Sequence, residues 1–327
     1  MTITTAQTID YKTAKHARLV SFENSNSWIK RYDDQGELIV QAGFTDSIGM
    51  MSQGNDENPI VITGNTRRWY GSRACLGQHT RIHGRDKVAT ARDAFAACLR
   101  PSDDGRELIV VASHWDYQNL NTLKPALEGR YSVVRNGQKI ECIVSKVLPI
   151  LEGLGSYHAV KPKLEKGFSL LIELGFGTAE QWLIDDSGEV IDGSPVTSLG
   201  VCKLVDSIAA DPTVRAGLGI SNNSTSVNLS LVSAGLQAET IGKLSAEQWR
   251  AIKKKHVDSW FQNLQSHLAT QFESQNQNIM NLVLSGGGAG LLLSVKPEII
   301  EFFTVPPNPQ VASVIGAYDR QMSKVGV

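Results

Sequence analysis

The chain has 327 residues, with 32 Lys plus Arg and 33 Asp plus Glu; 41% are hydrophobic and 20% charged. That length suggests about two domains, and so ordinary a mixture excludes a disordered or fibrous chain. The formal net charge of −1 argues against direct nucleic-acid binding, which calls for a basic excess.

Residues 1–16 are expected to be a flexible lead-in. They hold no apolar core of signal-peptide length, and nowhere does the chain approach the roughly 18–20 apolar residues of a membrane span. Residues 18–22, 28–32 and 37–42 read as three short strands joined by ENSNS and DQG turns. Residues 47–58 are polar and Gly-containing, hence a loop, and PIVIT (59–63) is a further strand. Within 79–83 two histidines stand four apart, but Gly84 and the lack of an acidic neighbour favour a solvated loop. Val88, Ala91, Phe95 and Cys98 recur at three- and four-residue spacing, predicting a helix over 87–99. ELIVVA (107–112) is an apolar run suited to a strand buried on both faces. Asn136-Gly137 between extended runs 131–134 and 139–147 signals a hairpin. Residues 152–167, punctuated by Gly and Pro, read as a crossover between halves.

The strand–turn–strand order then starts again at 169–174, 181–184 and 189–191. A helix is predicted near 199–209 and a long one from Ala246 to about Phe272. Ser245 and Gln248 form a capping box ahead of it, and Trp249, Ile252, His256, Trp260, Leu264 and Leu268 mark its apolar face. A buried strand at 280–284 runs into SGGGAG. Two successive copies of one element order therefore point to two similar α/β lobes. Cys75, Cys98, Cys142 and Cys202 are scattered and read as reduced core thiols of a cytoplasmic protein.

Three segments could carry chemistry. In ELGFGTAE (173–180) an apolar strand delivers Glu173 to a turn with Gly175 and Gly177. The segment reads either as a plain hairpin or as a nest of backbone N–H groups for phosphate oxygens, with Thr178 adding a hydroxyl. In LSGGGAG (284–290) a buried strand meets three glycines and a helix start, which favours close approach of a ligand. In ENSNSWIK (23–30) Asn24, Ser25, Asn26 and Ser27 supply donors in a turn, although a small polar turn explains them equally well.

The order of these motifs resembles the actin-like branch of the actin, Hsp70 and sugar-kinase superfamily, most of all the ParM-like plasmid-segregation actins. There a first phosphate loop reads D-x-G-x-x-x-x-K, and ENSNSWIK holds its place. VLPILEG (147–153) matches a connecting motif of the form V-x-P-E. ELGFGTAE matches the second phosphate loop, D-x-G-x-x-T-x-D, and LSGGGAG the adenosine motif. PQVASVIGAY (309–318) is similar to the last motif, A-N-A-x-G. The chain departs from the family in carrying Glu23, Glu173 and Glu180 in place of Asp, Ser25 in place of Gly, and Ile150 where the connecting acid is expected. Glu152 is the nearest carboxylate.

The resemblance implies an actin-like α/β fold, with two RNase H-like lobes around a nucleotide cleft. The first lobe would comprise 17–160 plus 309–327, and the second 161–308. It further implies a filament-forming ATPase that binds ATP or GTP with Mg²⁺. Asn24, Ser25, Asn26, Ser27, Lys30, Gly175, Phe176, Gly177, Thr178, Gly286, Gly287 and Gly288 would hold the nucleotide. Glu23 and Glu173 would act at the metal through water, with Glu173 and Glu152 catalytic. The filament would move plasmid DNA through a DNA-binding adaptor at the plasmid centromere. No direct nucleic-acid or membrane contact is expected. A non-polymerising superfamily kinase and a nucleotide-binding scaffold without turnover are the alternatives. Segments 47–58 and 220–230 are candidates for subunit contacts.

Overall fold

A computed structural model describes residues 17–46, 53–75, 81–82, 86–220, 232–233 and 235–325. The chain divides into two compact units, Met1–Pro162 with Val311–Val327, and Lys163–Gln310.

The first unit carries a ten-stranded sheet. Strands β1 (Arg18–Asn24), β2 (Trp28–Asp33) and β3 (Gly36–Gln41) form the expected meander. β4 (Gly43–Thr45), β5 (Ile60–Thr63), β6 (Thr66–Tyr70) and β7 (Arg81–Ile82) extend the far side of the sheet. β8 (Glu107–His114) runs parallel to β1, and β10 (Gln138–Leu151) parallel to β8. Leu108, Val110 and Ala112 of β8 are buried on one face and Ile109 and Val111 on the other, as its continuous apolar run predicts. β9 (Gly129–Arg135) turns into β10 through Asn136 and Gly137, both at positive φ (54° and 84°), the backbone a two-residue hairpin requires.

Helix α1 spans only Ala91–Ala97, shorter than the predicted 87–99. Residues 87–90 form a turn instead, and Lys87 directs its side chain into a buried ion pair. The 152–167 crossover contains a helix that its glycines and proline concealed, α3 (Leu154–Val160), which follows the short α2 (Leu123–Leu127). Gly155 is not a breaker here. α3 packs on the C-terminal helix α7 (Ala312–Val325), and a Cβ on Gly155 would strike the Ser313 carbonyl. Gly316 meets the Gly155 carbonyl in the same way. Two glycines thus allow the backbones to touch.

The second unit has a four-stranded sheet in the order β13-β12-β11-β14. β11 (Phe168–Leu174), β12 (Ala179–Ile184) and β13 (Val190–Val196) form a second meander, and β14 (Ile279–Ser285) runs parallel to β11. This is the arrangement of β3-β2-β1-β8 again. Helix α4 (Val201–Ala210) and the 26-residue α5 (Ala246–Gln271) pack on one face of the sheet, through Leu170, Ile172, Leu174 and Leu183. Both halves of the Ser245–Gln248 capping box form. The buried stripe of α5 is Trp249, Val257, Trp260, Phe261 and Leu264, while Ile252 and Leu268 are half-buried. His256 leaves the stripe, because its ring lies between Ser207 and Asp211.

Cys98 and Cys142 are buried free thiols and Cys202 is half-buried. The 79–83 histidine pair, the lead-in 1–16, residues 47–52 and most of 220–230 lie outside the described residues. No helix among the described residues is long and apolar enough to cross a membrane.

Candidate functional site

In the second unit, β11 ends at Leu174 and the chain turns through Gly175, Phe176 and Gly177. The Gly175 N–H donates back to the Thr178 carbonyl at 2.9 Å. The Gly175 and Phe176 carbonyls accept from the first N–H groups of α4, Val201 at 3.1 Å and Cys202 at 2.7 Å. A planar trans peptide points its N–H opposite to its C=O. With those two carbonyls turned to α4, the Phe176 and Gly177 N–H groups face away from it. Two such neighbouring N–H groups are the kind of donor pair that suits an anion. Gly200, which precedes α4, has no room for a Cβ against Gly177, so the turn is held close to the helix.

The triple glycine lies beside this turn. Gly286 has φ +88°, and a Cβ there would come 2.5 Å from the Leu174 carbonyl oxygen. A Cβ on Gly288 would come 2.7 Å from Leu174 Cβ and 2.8 Å from Val201 Cγ2. Both glycines are therefore required by packing alone. Gly287 is different, since a Cβ there would have nothing within 4 Å. The protein's own packing does not require a glycine at 287. Helix α6 (Gly287–Val295) starts at this point. Ser285, fully buried just before the glycines, is the register partner of Glu173 and donates to the Pro309 carbonyl at 3.2 Å.

Glu173 is also directly opposite Glu180 across the β11–β12 pair, and both carboxylates are buried. The Thr178 hydroxyl donates to Glu180. Two buried carboxylates on one face suit a hard divalent cation. Among the described residues no group of three or more His, Cys, Asp or Glu could hold a metal. A Mg²⁺ here would take most of its ligands from phosphate oxygens and water, as that ion commonly does.

In the first unit, Glu23 and Lys30 face each other across the β1–β2 pair. Lys30 Nζ donates to Glu23 Oε1 at 2.5 Å, and Ser313 Oγ donates to Glu23 Oε2 at 2.7 Å. Burial alone would raise the Glu23 carboxyl, but Lys30, Ser313 and Lys87 bring it below its ordinary value. Ser25 closes the turn with its hydroxyl and its N–H, both donating to the Trp28 carbonyl. Asn26 and Ser27 are half-buried at the tip, and the Ser27 carbonyl accepts from Ala42. Asn24 Nδ2 donates to the Lys87 carbonyl and to Thr90 Oγ1, each at 3.1 Å.

Glu152 follows the end of β10, buried, with Lys87 Nζ donating to its Oε2 at 2.6 Å. Its N–H donates to the His114 carbonyl. Burial and the Lys87 ammonium hold the His114 imidazole below its usual range, against the pull of Glu152. The expected position of the connecting acid, Ile150, is a buried strand residue level with Ser113. Sequence reading missed Lys87, His114 and Ser313 as members of this cluster. Lys87 stands in a charged stretch, and only the fold brings it to Glu152, 65 residues away.

No protein-family model matches the chain, and no curated protein matches it by sequence. Solved structures do match. An archaeal actin homologue in complex with ADP aligns with a TM-score of 0.71 at 17% identity, covering 94% of this chain and 99% of its own. A 15-stranded ParM filament from Clostridium botulinum gives 0.72 at 13%, with the same coverage. Bacillus thuringiensis ParM with ATP gives 0.67 at 14%, covering 96% and 100%. The chain has an actin-like fold of the kind seen in ParM.

Proposed function

We infer that the chain binds a nucleoside triphosphate, hydrolyses it, and uses the cycle to assemble reversibly into filaments. The observation that carries this reading is the second-unit turn. Outward-facing N–H groups at 176 and 177 lie beside the triple glycine, where a Cβ at 287 would stand clear of every neighbour. A phosphate chain and the sugar or base beyond it fit two such adjoining surfaces. In this reading residues 175–178 and 286–288 of the second unit hold the nucleotide. ATP or GTP would serve. Mg²⁺, when bound, supplies charge neutralisation at the phosphates. Glu173 would hold that ion through water, and Glu152 would orient the water that attacks.

The similar structures, among them a ParM filament and complexes with ADP and ATP, support assembly and nucleotide use. A head-to-tail contact that does not close gives an open filament. The near-neutral net charge agrees with DNA being engaged through an adaptor protein, as plasmid segregation in the cytoplasm would require.

Sedimentation over a protein concentration series with ATP and Mg²⁺, alongside phosphate release, tests the reading. A critical concentration, with disassembly as phosphate appears, is expected. Turnover of a small hydroxylated substrate without sedimentation would identify a kinase instead. Binding without phosphate release would identify a scaffold, the reading that Ile150 in the connecting motif keeps open.

A further inference from the structure

The parallel strands β1, β8 and β10 end at one level in the first unit. Glu23 and Ile150 both pair with Ser113, and Leu151 pairs with His114. In open α/β sheets ligands bind beyond the carboxyl ends of such strands. Asn24, His114 and Glu152 stand at those ends, and Lys87 reaches Glu152 from the turn before α1.

The pair is almost covered, with 6% of the Lys87 side chain and 7% of the Glu152 side chain exposed. Such pairs seldom stabilise a fold more than apolar residues of similar volume would, because desolvation offsets the attraction. Stability alone is thus a weak reason for this one. Asn24 adds a second observation. An amide nitrogen has two hydrogens, and Asn24 spends both, on the Lys87 carbonyl and on Thr90. It has no donor left for a phosphate oxygen. Its Oδ1 is buried without a hydrogen-bond partner among the described residues, an acceptor suited to a water or hydroxyl. Asn24 therefore fixes the backbone of Lys87, and Lys87 fixes the carboxylate of Glu152.

We propose that Lys87 is a positioning residue for hydrolysis, braced by Asn24, that sets the direction in which Glu152 presents its carboxylate to the attacking water. The proposal rests on the nucleotide-hydrolysis reading above. In the step it serves, the water oxygen bonds to the terminal phosphorus. The bond from that phosphorus to the bridging oxygen breaks, and the bridging oxygen keeps the electron pair on the departing diphosphate. The water's proton leaves by way of Glu152.

The test uses the full chain with Lys87→Met, Lys87→Arg, Glu152→Gln and the double variant Lys87→Met/Glu152→Gln. Phosphate release is followed at saturating Mg-ATP, and ADP affinity by calorimetry. Lys87→Met should slow release by at least the ~10²-fold typical of a lost acid–base group, with the ADP dissociation constant unchanged. Glu152→Gln should match it. The double variant should be no slower than either single one, because residues acting as a unit are not additive. Lys87→Arg, which keeps the charge, should recover part of the rate. If Lys87→Met fails to fold, the double variant, which buries no lone charge, and Lys87→Arg carry the comparison. Normal release in Lys87→Met, multiplied losses in the double variant, or weakened ADP binding with a normal saturating rate would each overturn the proposal. Wild-type chain that releases no phosphate would overturn the hydrolysis reading together with it. Wild-type turnover alongside an undiminished Lys87→Met overturns this proposal alone.

Discussion

The two units place the same three positions in the same register and fill one of them with opposite chemistry. In each, a glutamate near the end of the first meander strand faces a residue seven positions later and a serine on the parallel neighbour. The first unit has Glu23 against Lys30 and Ser113. The second has Glu173 against Glu180 and Ser285. Opposite charges across a strand pair attract and like charges repel. The first turn is thus an internally neutralised brace, its glutamate also held by Ser313 of α7. The second sets two buried carboxyl groups opposite each other beside the turn at 175–177. Two turns equivalent in topology thus differ in kind, one closed by an ion pair and the other carrying two facing carboxyl groups.

The largest effect should come from the glycine that packing does not require. Gly287→Val should leave the chain folded, since a Cβ there meets nothing within 4 Å. It should abolish nucleotide binding, measured by calorimetry with ADP. Gly286, held at φ +88° against Leu174, offers no such separation of folding from binding. Undiminished affinity in folded Gly287→Val would move the ligand away from the second unit's glycines.

Lys30→Met should break the brace. It leaves Glu23 buried without its nearest cation, a change that typically costs about 3–5 kcal/mol. Urea unfolding should show the loss. A stability change under about 1 kcal/mol, with nucleotide affinity lost instead, would make Lys30 a phosphate ligand and erase the contrast between the turns.

Glu173→Ala acts on the other side of the comparison and should differ in kind. Phosphate release should fall at least ~10²-fold, the usual consequence of losing a positioned electrostatic or acid–base group. Stability should not drop as in Lys30→Met, because the substitution removes one of two facing carboxylates. Filaments should still form with ATP and should last longer. Normal release would show that Glu173 takes no part in the reaction.

Much of this was legible in the sequence, for identifiable reasons. The meanders were readable because their turns carry Asp, Asn and Gly between short extended runs, and the long helix because its cap is local. The doubled element order reappears as a shared four-strand pattern, β3-β2-β1-β8 in one sheet and β13-β12-β11-β14 in the other. What escaped depends on contacts between distant residues. Gly155 reads as a breaker until Ser313 is seen against it. Lys87 reads as the start of a helix until it is found in a turn, paired with Glu152. Asn24 reads as a donor until both its hydrogens are found spent. A motif conveys which residues lie near a site, but not which of them are already committed to one another.

The smallest effect expected concerns the third partner of Glu23. Ser313→Ala removes one hydrogen bond to a buried carboxylate, worth about 1.5–3 kcal/mol for a charged acceptor. Its pH dependence follows from the depressed Glu23 carboxyl. Burial opposes ionisation, but Lys30, Ser313 and Lys87 outweigh it and hold the group below its ordinary 4.5. A group whose folded value is lower than its unfolded one binds fewer protons in the native state. Its stabilising contribution is therefore full above the ordinary carboxylate range and is lost as pH falls through the folded value. Without the Ser313 hydroxyl the folded value rises toward the ordinary one, so less stability remains to be lost. Urea unfolding should place Ser313→Ala below wild type at about pH 7, with the two curves converging as pH falls below the ordinary carboxylate range. A gap that stays constant over that range would tie Ser313 to the packing of α7 on α3 rather than to the charge on Glu23.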